Sequence, residues 1–145
     1  MAIWNKTTLA LFITGSALLL PTASVMAQDG GRPLNATLTG SAERPGPGDP
    51  DGSGQASIKV NAGQARVCYE VSVSQIGTPT AAHIHLGSAD VAGPVVATFN
   101  PPTGSGCVDV TKELAQAIIK SPSDYYVNVH NVEFPSGAVR GQLSK

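Results

Sequence analysis

Along most of this chain apolar and polar residues alternate. In Val67-Cys68-Tyr69-Glu70-Val71-Ser72-Val73 every second side chain is apolar, the period of a strand with one buried face. Comparable runs cover residues 34–41, 54–60, 65–74, 81–86, 94–99, 106–110, 125–131 and 138–143, each bounded by Gly, Pro, Asn or Asp. Residues 111–120 keep a different period: Leu114, Ala115, Ile118 and Ile119 fall at helical spacing, Thr111 stands where a cap belongs, and Pro122 lies just beyond. The pattern predicts an all-β fold, an antiparallel Greek-key-like β-sandwich of about seven or eight strands with one short helix at about 111–120. Sixteen Gly and 11 Pro in 145 residues, with aromatics at 5%, fit short strands and many turns and exclude a long-helix protein.

The first 27 residues stand apart. Lys6 precedes an apolar core from Leu9 to Leu20, and Val25-Met26-Ala27 forms a small-x-small cleavage pattern. This reads as a signal peptide, since the core is too short to span a bilayer. Cleavage after Ala27 leaves residues 28–32 as a flexible tail and 33–145 as one domain, periplasmic or secreted. Without the leader the chain has eight basic and ten acidic residues. No basic stripe is present, so nucleic acid is not an expected partner, and no later stretch is apolar enough to suggest a membrane span.

Export changes the reading of the two cysteines. Cys68 and Cys107 both lie in the exported part, where one intramolecular disulfide is the default. Each opposes the apolar residues of its own strand, so both sulfurs can sit on the outer side. Closing a loop of about 40 residues stabilises by roughly 3 to 4 kcal/mol. A thiolate metal site or redox pair lacks its C-x-x-C spacing. Asp49, Asp51 and Ser53 alternate as in a calcium loop, but Val60 stands where the closing Glu belongs, and a turn is expected instead. Asn35-Ala36-Thr37 matches the glycosylation acceptor pattern.

All three histidines of the chain fall in two predicted strands. His83 and His85 point to one side, about 6.6 Å apart along the backbone, while Ala82, Ile84 and Leu86 supply the core face. Val127 and Val129 face the core in the second strand, so Asn128 and His130 project oppositely. If the two strands are neighbours, three imidazoles converge and can hold one Cu²⁺ or Zn²⁺, leaving a fourth position to water or a side chain. Copper is preferred because it outranks zinc at nitrogen ligands and is met outside the cytosol. Glu133, Asp90 and Asn128 are candidates for the fourth ligand or for support. The competing reading is of surface histidines bonded to nearby backbone. Neither a Gly-x-Ser-x-Gly elbow, nor paired carboxylates, nor a phosphate loop is present, so no enzyme is expected.

The strings Ala81-Ala82-His83-Ile84-His85-Leu86-Gly87, Gly93-Pro94-Val95-Val96, Tyr126-Val127-Asn128-Val129-His130 and Pro135-Ser136-Gly137-Ala138-Val139-Arg140-Gly141-Gln142-Leu143 together resemble the CHRD domain, the module named after chordin, over about residues 33–143. The resemblance implies an all-β fold in a small exported protein. It puts the histidine positions of the family motif on His83, His85 and His130. Arg140 and Gly141 also match; Arg140 is read as structural or as the partner of an acid such as Glu70. The local string around His83 and His85 is similar to the copper-ligand strand of Cu/Zn superoxide dismutase, but three histidines are too few for that dinuclear site. The combined expectation is an exported protein binding one copper or zinc ion through His83, His85 and His130, for sequestration or delivery, with binding that weakens below about pH 6. The alternative is an adhesion or protein-interaction module without metal. A homodimer or another protein partner remains open under both.

Overall fold

The computed structural model describes residues 30–145; the signal peptide read in Met1–Ala27 lies outside them. The elements are β1 (Arg32–Thr39), β2 (Ser53–Asn61), β3 (Arg66–Ser74), β4 (Pro79–Leu86), β5 (Val95–Thr98), β6 (Gly104–Asp109), α1 (Lys112–Lys120), β7 (Tyr125–Asn131) and β8 (Val139–Gln142). All the expected strands form. The first begins at Arg32, which pairs with Val60, two residues before the alternation starts: ladder hydrogen bonds need backbone, not an apolar side chain. It stops at Thr39 because residues 40–42 turn as a single 3₁₀ turn. There Gly40 lies so close to the Asp49 backbone that a Cβ would collide with it. The helix forms where helical spacing predicts, with Thr111 Oγ1 accepting from Leu114 N at 3.1 Å.

The strands make one antiparallel sheet in the order β5-β4-β7-β8-β1-β2-β3-β6. Its two halves, β5-β4-β7-β8 and β1-β2-β3-β6, meet at the β8–β1 seam through the Thr39–Arg140 pair and the reciprocal Asn35–Ser144 backbone bonds. The edge strands β5 and β6 are consecutive in the chain, joined by residues 99–103 alone. So short a link forces the sheet to curl until its edges approach. Phe99 in this link stacks on Tyr69 of β3, centroids 4.0 Å apart, and Tyr69 Oη donates to Pro101 O at 2.8 Å.

Curling turns the apolar faces of both halves into one core. Leu34, Leu38, Ile58, Val60, Val67 and Val71 from one half meet Ala82, Ile84, Val127, Val129 and Val139 from the other, and α1 adds Ala115 and Ile118. Each fully buried Val, Leu or Ile contributes about 1.5 to 3 kcal/mol. The outward faces are where the halves differ, and one carries the histidines. Cys68 and Cys107 are paired in register on the other, joined by a disulfide with Cα atoms 4.0 Å apart. Among the described residues no helix is long and apolar enough to cross a membrane.

Candidate metal centre

Antiparallel pairing of β4 with β7 assembles the histidines. The register sets Ala81 opposite His130, His83 opposite Asn128 and His85 opposite Tyr126. Ile84, Val127 and Val129 have no exposed surface on the core side, so the pleat sends His83, His85, Tyr126, Asn128 and His130 outward together. Leu86, expected on the core face with Ala82 and Ile84, is instead 43% exposed, since it ends β4 beyond the packed part of the core. His130 is the diagonal neighbour of His83, within reach of a long side chain. His83 Nδ1 lies 3.0 Å from His130 Nε2, and one nitrogen from each imidazole falls within 4.8 Å of the others. Nitrogens around a tetrahedral ion at about 2.0 Å stand about 3.3 Å apart. One gap already has that scale, and the widest must close by about 1.5 Å, a rotamer-sized adjustment.

Main-chain carbonyls fix two of the rings. His85 Nδ1 donates to Gly93 O at 2.8 Å and His130 Nδ1 to Pro135 O at 3.0 Å. A carbonyl only accepts, so in each neutral ring the proton is on Nδ1 and the lone pair on Nε2. His130 Nε2 then accepts from His83 Nδ1, whose proton must move to His83 Nε2 before this pair of nitrogens can ligate one ion. Asn128 Oδ1, also 3.0 Å from His130 Nε2, cannot donate, so the amide must turn its NH₂ there to bond that lone pair. His85 Nε2 is buried and has no hydrogen-bond partner among the described residues. An orphaned lone pair of this kind is unfavourable unless something binds it. Burial, then the His130 and His85 imidazoles, push the His83 pKa down to about 4, with Asn128 opposing. Burial chiefly lowers that of His130 too, the Pro135 carbonyl opposing it. Both shifts favour the neutral form that ligation requires.

Loops cover this face. Residues 87–94 cross it from β4 to β5, held by Arg140, whose Nη1 donates to Val91 O at 3.0 Å and whose Nη2 donates to Ser88 O at 2.7 Å and to Gln142 Oε1 at 3.1 Å. Its guanidinium carbon lies 3.4 Å above the Tyr126 ring, and that ring stacks on His85 with centroids 4.7 Å apart. Tyr126 Oη also accepts from Gly93 N at 3.2 Å. A Cβ on Gly93 would collide with the Leu86 carbonyl. From the β1–β2 connection comes Glu43, 3% exposed, its Oε1 without a partner. Burial pushes its pKa up to about 7 against the pull of Arg140, Arg44 and the Asn128 amide.

The structure thus brings together His83, His85 and His130, and of the supporting candidates only Asn128. Asp90 instead pairs with Arg44 at 3.3 Å across the two covering loops. Glu133 lines a cleft of about 250 Å³ with Glu43 and Phe134. Of the two readings of Arg140, the structural one fits and the Glu70 partner is corrected: Glu70 is exposed on β3, in the other half of the sheet, whereas Arg140 is 1% exposed and meets Tyr126, loop carbonyls and the field of Glu43. Sequence reasoning missed Tyr126 and Glu43. The signal for Tyr126 was present: it is an aromatic ring at an outward position, where β2 and β3 carry only polar residues and Cys68.

Comparison with known families gives one match: the CHRD domain, over residues 34–143. No curated protein and no solved structure matches the chain.

Proposed function

The chain belongs to the CHRD domain family, and on that premise we propose that it is an exported metal-binding protein holding one copper ion, or zinc, through His83, His85 and His130, for sequestration or delivery. The observation that carries this is the convergence of three imidazoles within 4.8 Å with the His85 Nε2 lone pair buried and unpartnered. Backbone carbonyls behind His85 and His130 are the supports that metal-ligating histidines ordinarily have. Copper is favoured over zinc by its higher affinity for nitrogen ligands. The disulfide agrees with an oxidising compartment.

The test is metal retention by protein exported from a full-length gene, loaded separately with Cu²⁺ and Zn²⁺ and dialysed. About one equivalent is expected in wild type, and its loss in His83→Ala, His85→Ala and His130→Ala. Absence of retention in wild type, or retention unchanged by all three substitutions, overturns the reading. In that event a second reading gains, that of a protein-interaction module, which the exposed Leu86, Val91 and Val95 beside the β5 edge favour.

A further inference from the structure

Arg140 is 1% exposed, yet among the described residues no carboxylate lies within 4.0 Å of it. A buried cation without a contacting anion costs several kcal/mol unless its surroundings are arranged to hold it. Here they are backbone and aromatic. Ser88 O, Val91 O and Gln142 Oε1 accept its N–H groups, and the Tyr126 ring lies flat beneath it.

Two routes lead from this guanidinium, and both end at His85. Through Ser88 and Val91 it pins the 87–94 loop, whose Gly93 carbonyl takes the His85 Nδ1 proton. Through Tyr126 it backs the ring that stacks on His85 and whose hydroxyl accepts from Gly93 N. Neither route reaches His130, which is anchored separately by Pro135 O. Resting on the metal-binding reading above, we infer that Arg140 is a positioning residue for the three-histidine centre: by clamping the 87–94 loop and Tyr126 it holds His85 in its Nδ1–H tautomer, with Nε2 free to ligate. A planar fork that bonds two carbonyls while stacking on an aromatic ring is a task for arginine, and lysine can do only part of it.

The experiment combines two readouts on the exported protein, the His85 tautomer by ¹⁵N NMR of the imidazole and the Zn²⁺ affinity by competition with a chromophoric chelator. Wild type shows Nδ1–H at His85. Arg140→Met is expected to mix the tautomers and weaken Zn²⁺ binding about 10- to 100-fold, and Arg140→Lys to recover part of both. The His130 tautomer is expected to stay Nδ1–H in Arg140→Met, because that ring is anchored by Pro135 O and neither route reaches it. Mixed tautomers at His130 to the same extent as at His85, or an unchanged His85 tautomer, overturn the inference. If Arg140→Met does not fold, Tyr126→Phe, which removes only the hydroxyl bonded to Gly93 N, gives the tautomer readout in its place, and a shift toward mixed tautomers is required. Should wild type bind no Zn²⁺ or Cu²⁺, the metal reading falls, while the tautomer readout still decides whether Arg140 positions His85.

Discussion

The two halves of the sheet share one pleat and one core but present opposite outer faces. On β1, β2 and β3 the outward residues Asn35, Thr37, Gln55, Ser57 and Ser72 are exposed; on β7 and β8 the outward Tyr126, Asn128 and Arg140 are at most 2% exposed. Connection length accounts for much of this. β2 and β3 are joined by residues 62–65, too few to fold back, whereas residues 87–94, 132–138 and 40–52 are long enough to lie over the β4–β7–β8 face. A bare face needs only short polar groups that water can satisfy. Once covered, each polar group must find a partner within the protein; among the described residues three buried side-chain atoms do not, His85 Nε2, Glu43 Oε1 and Asn131 Nδ2, and the first two, both titratable, mark where chemistry is possible.

The sharpest separation of the halves comes from the disulfide, which belongs to the bare side. Replacing both Cys68 and Cys107 with Ser is expected to cost about 4 kcal/mol in urea unfolding from loop entropy, with metal retained per folded chain unchanged; loss of metal would mean that the halves are not independent. On the covered side, Gly93→Ala forces the loop off Leu86 and should cost about 3 kcal/mol, this time with weakened Zn²⁺ binding. Unaltered stability and binding would show that the cover is not tight.

A subtler contrast lies in pH. Glu43 has a folded pKa of about 7, above its ordinary 4.5, so its contribution is complete below the lower value and is lost as pH rises through the higher. Glu43→Gln, which mimics the protonated acid, should therefore gain about 2 kcal/mol relative to wild type between pH 5 and pH 7. A parallel pair of stability profiles would contradict this. His83 acts with the opposite sign: lowered from 6.5 to about 4, it contributes fully above the first value and loses that contribution as pH falls toward the second. The smallest effect belongs again to the bare face, where Thr37→Ala and Ser72→Ala should each stay within about 0.5 kcal/mol. A cost above about 1.5 kcal/mol would show that these hydroxyls do more than meet water.

Legibility followed the same division. Strict alternation in β2 and β3 made their inner and outer residues readable, because one face meets only water. The pleat also assigned His83, His85 and His130 to outward positions, although convergence depended on β4 pairing with β7, a contact between strands separated by β5, β6 and α1 that no local period encodes. In β7 five consecutive residues, Tyr125 to Val129, are buried. Alternation still gave the right faces there, but not the cover over the outward one. The structural reading of Arg140 fits, but its surroundings were not legible and Glu70 was offered as a partner for that reason: a buried guanidinium satisfied by carbonyls and a ring leaves no charge complement to read in the sequence.

The order of the strands also bears on how a growing chain becomes whole. β7 and β8, the last to emerge, are inserted between β4 and β1, so until residue 125 and beyond arrive, two ladders stand open in the middle of the sheet rather than at its rim. The segment that closes them also carries Tyr126, Asn128, His130 and Arg140. Assembly of the three-histidine cluster and closure of the sheet are therefore a single late event, and a nascent chain cannot bring the three imidazoles together before residue 130 has arrived.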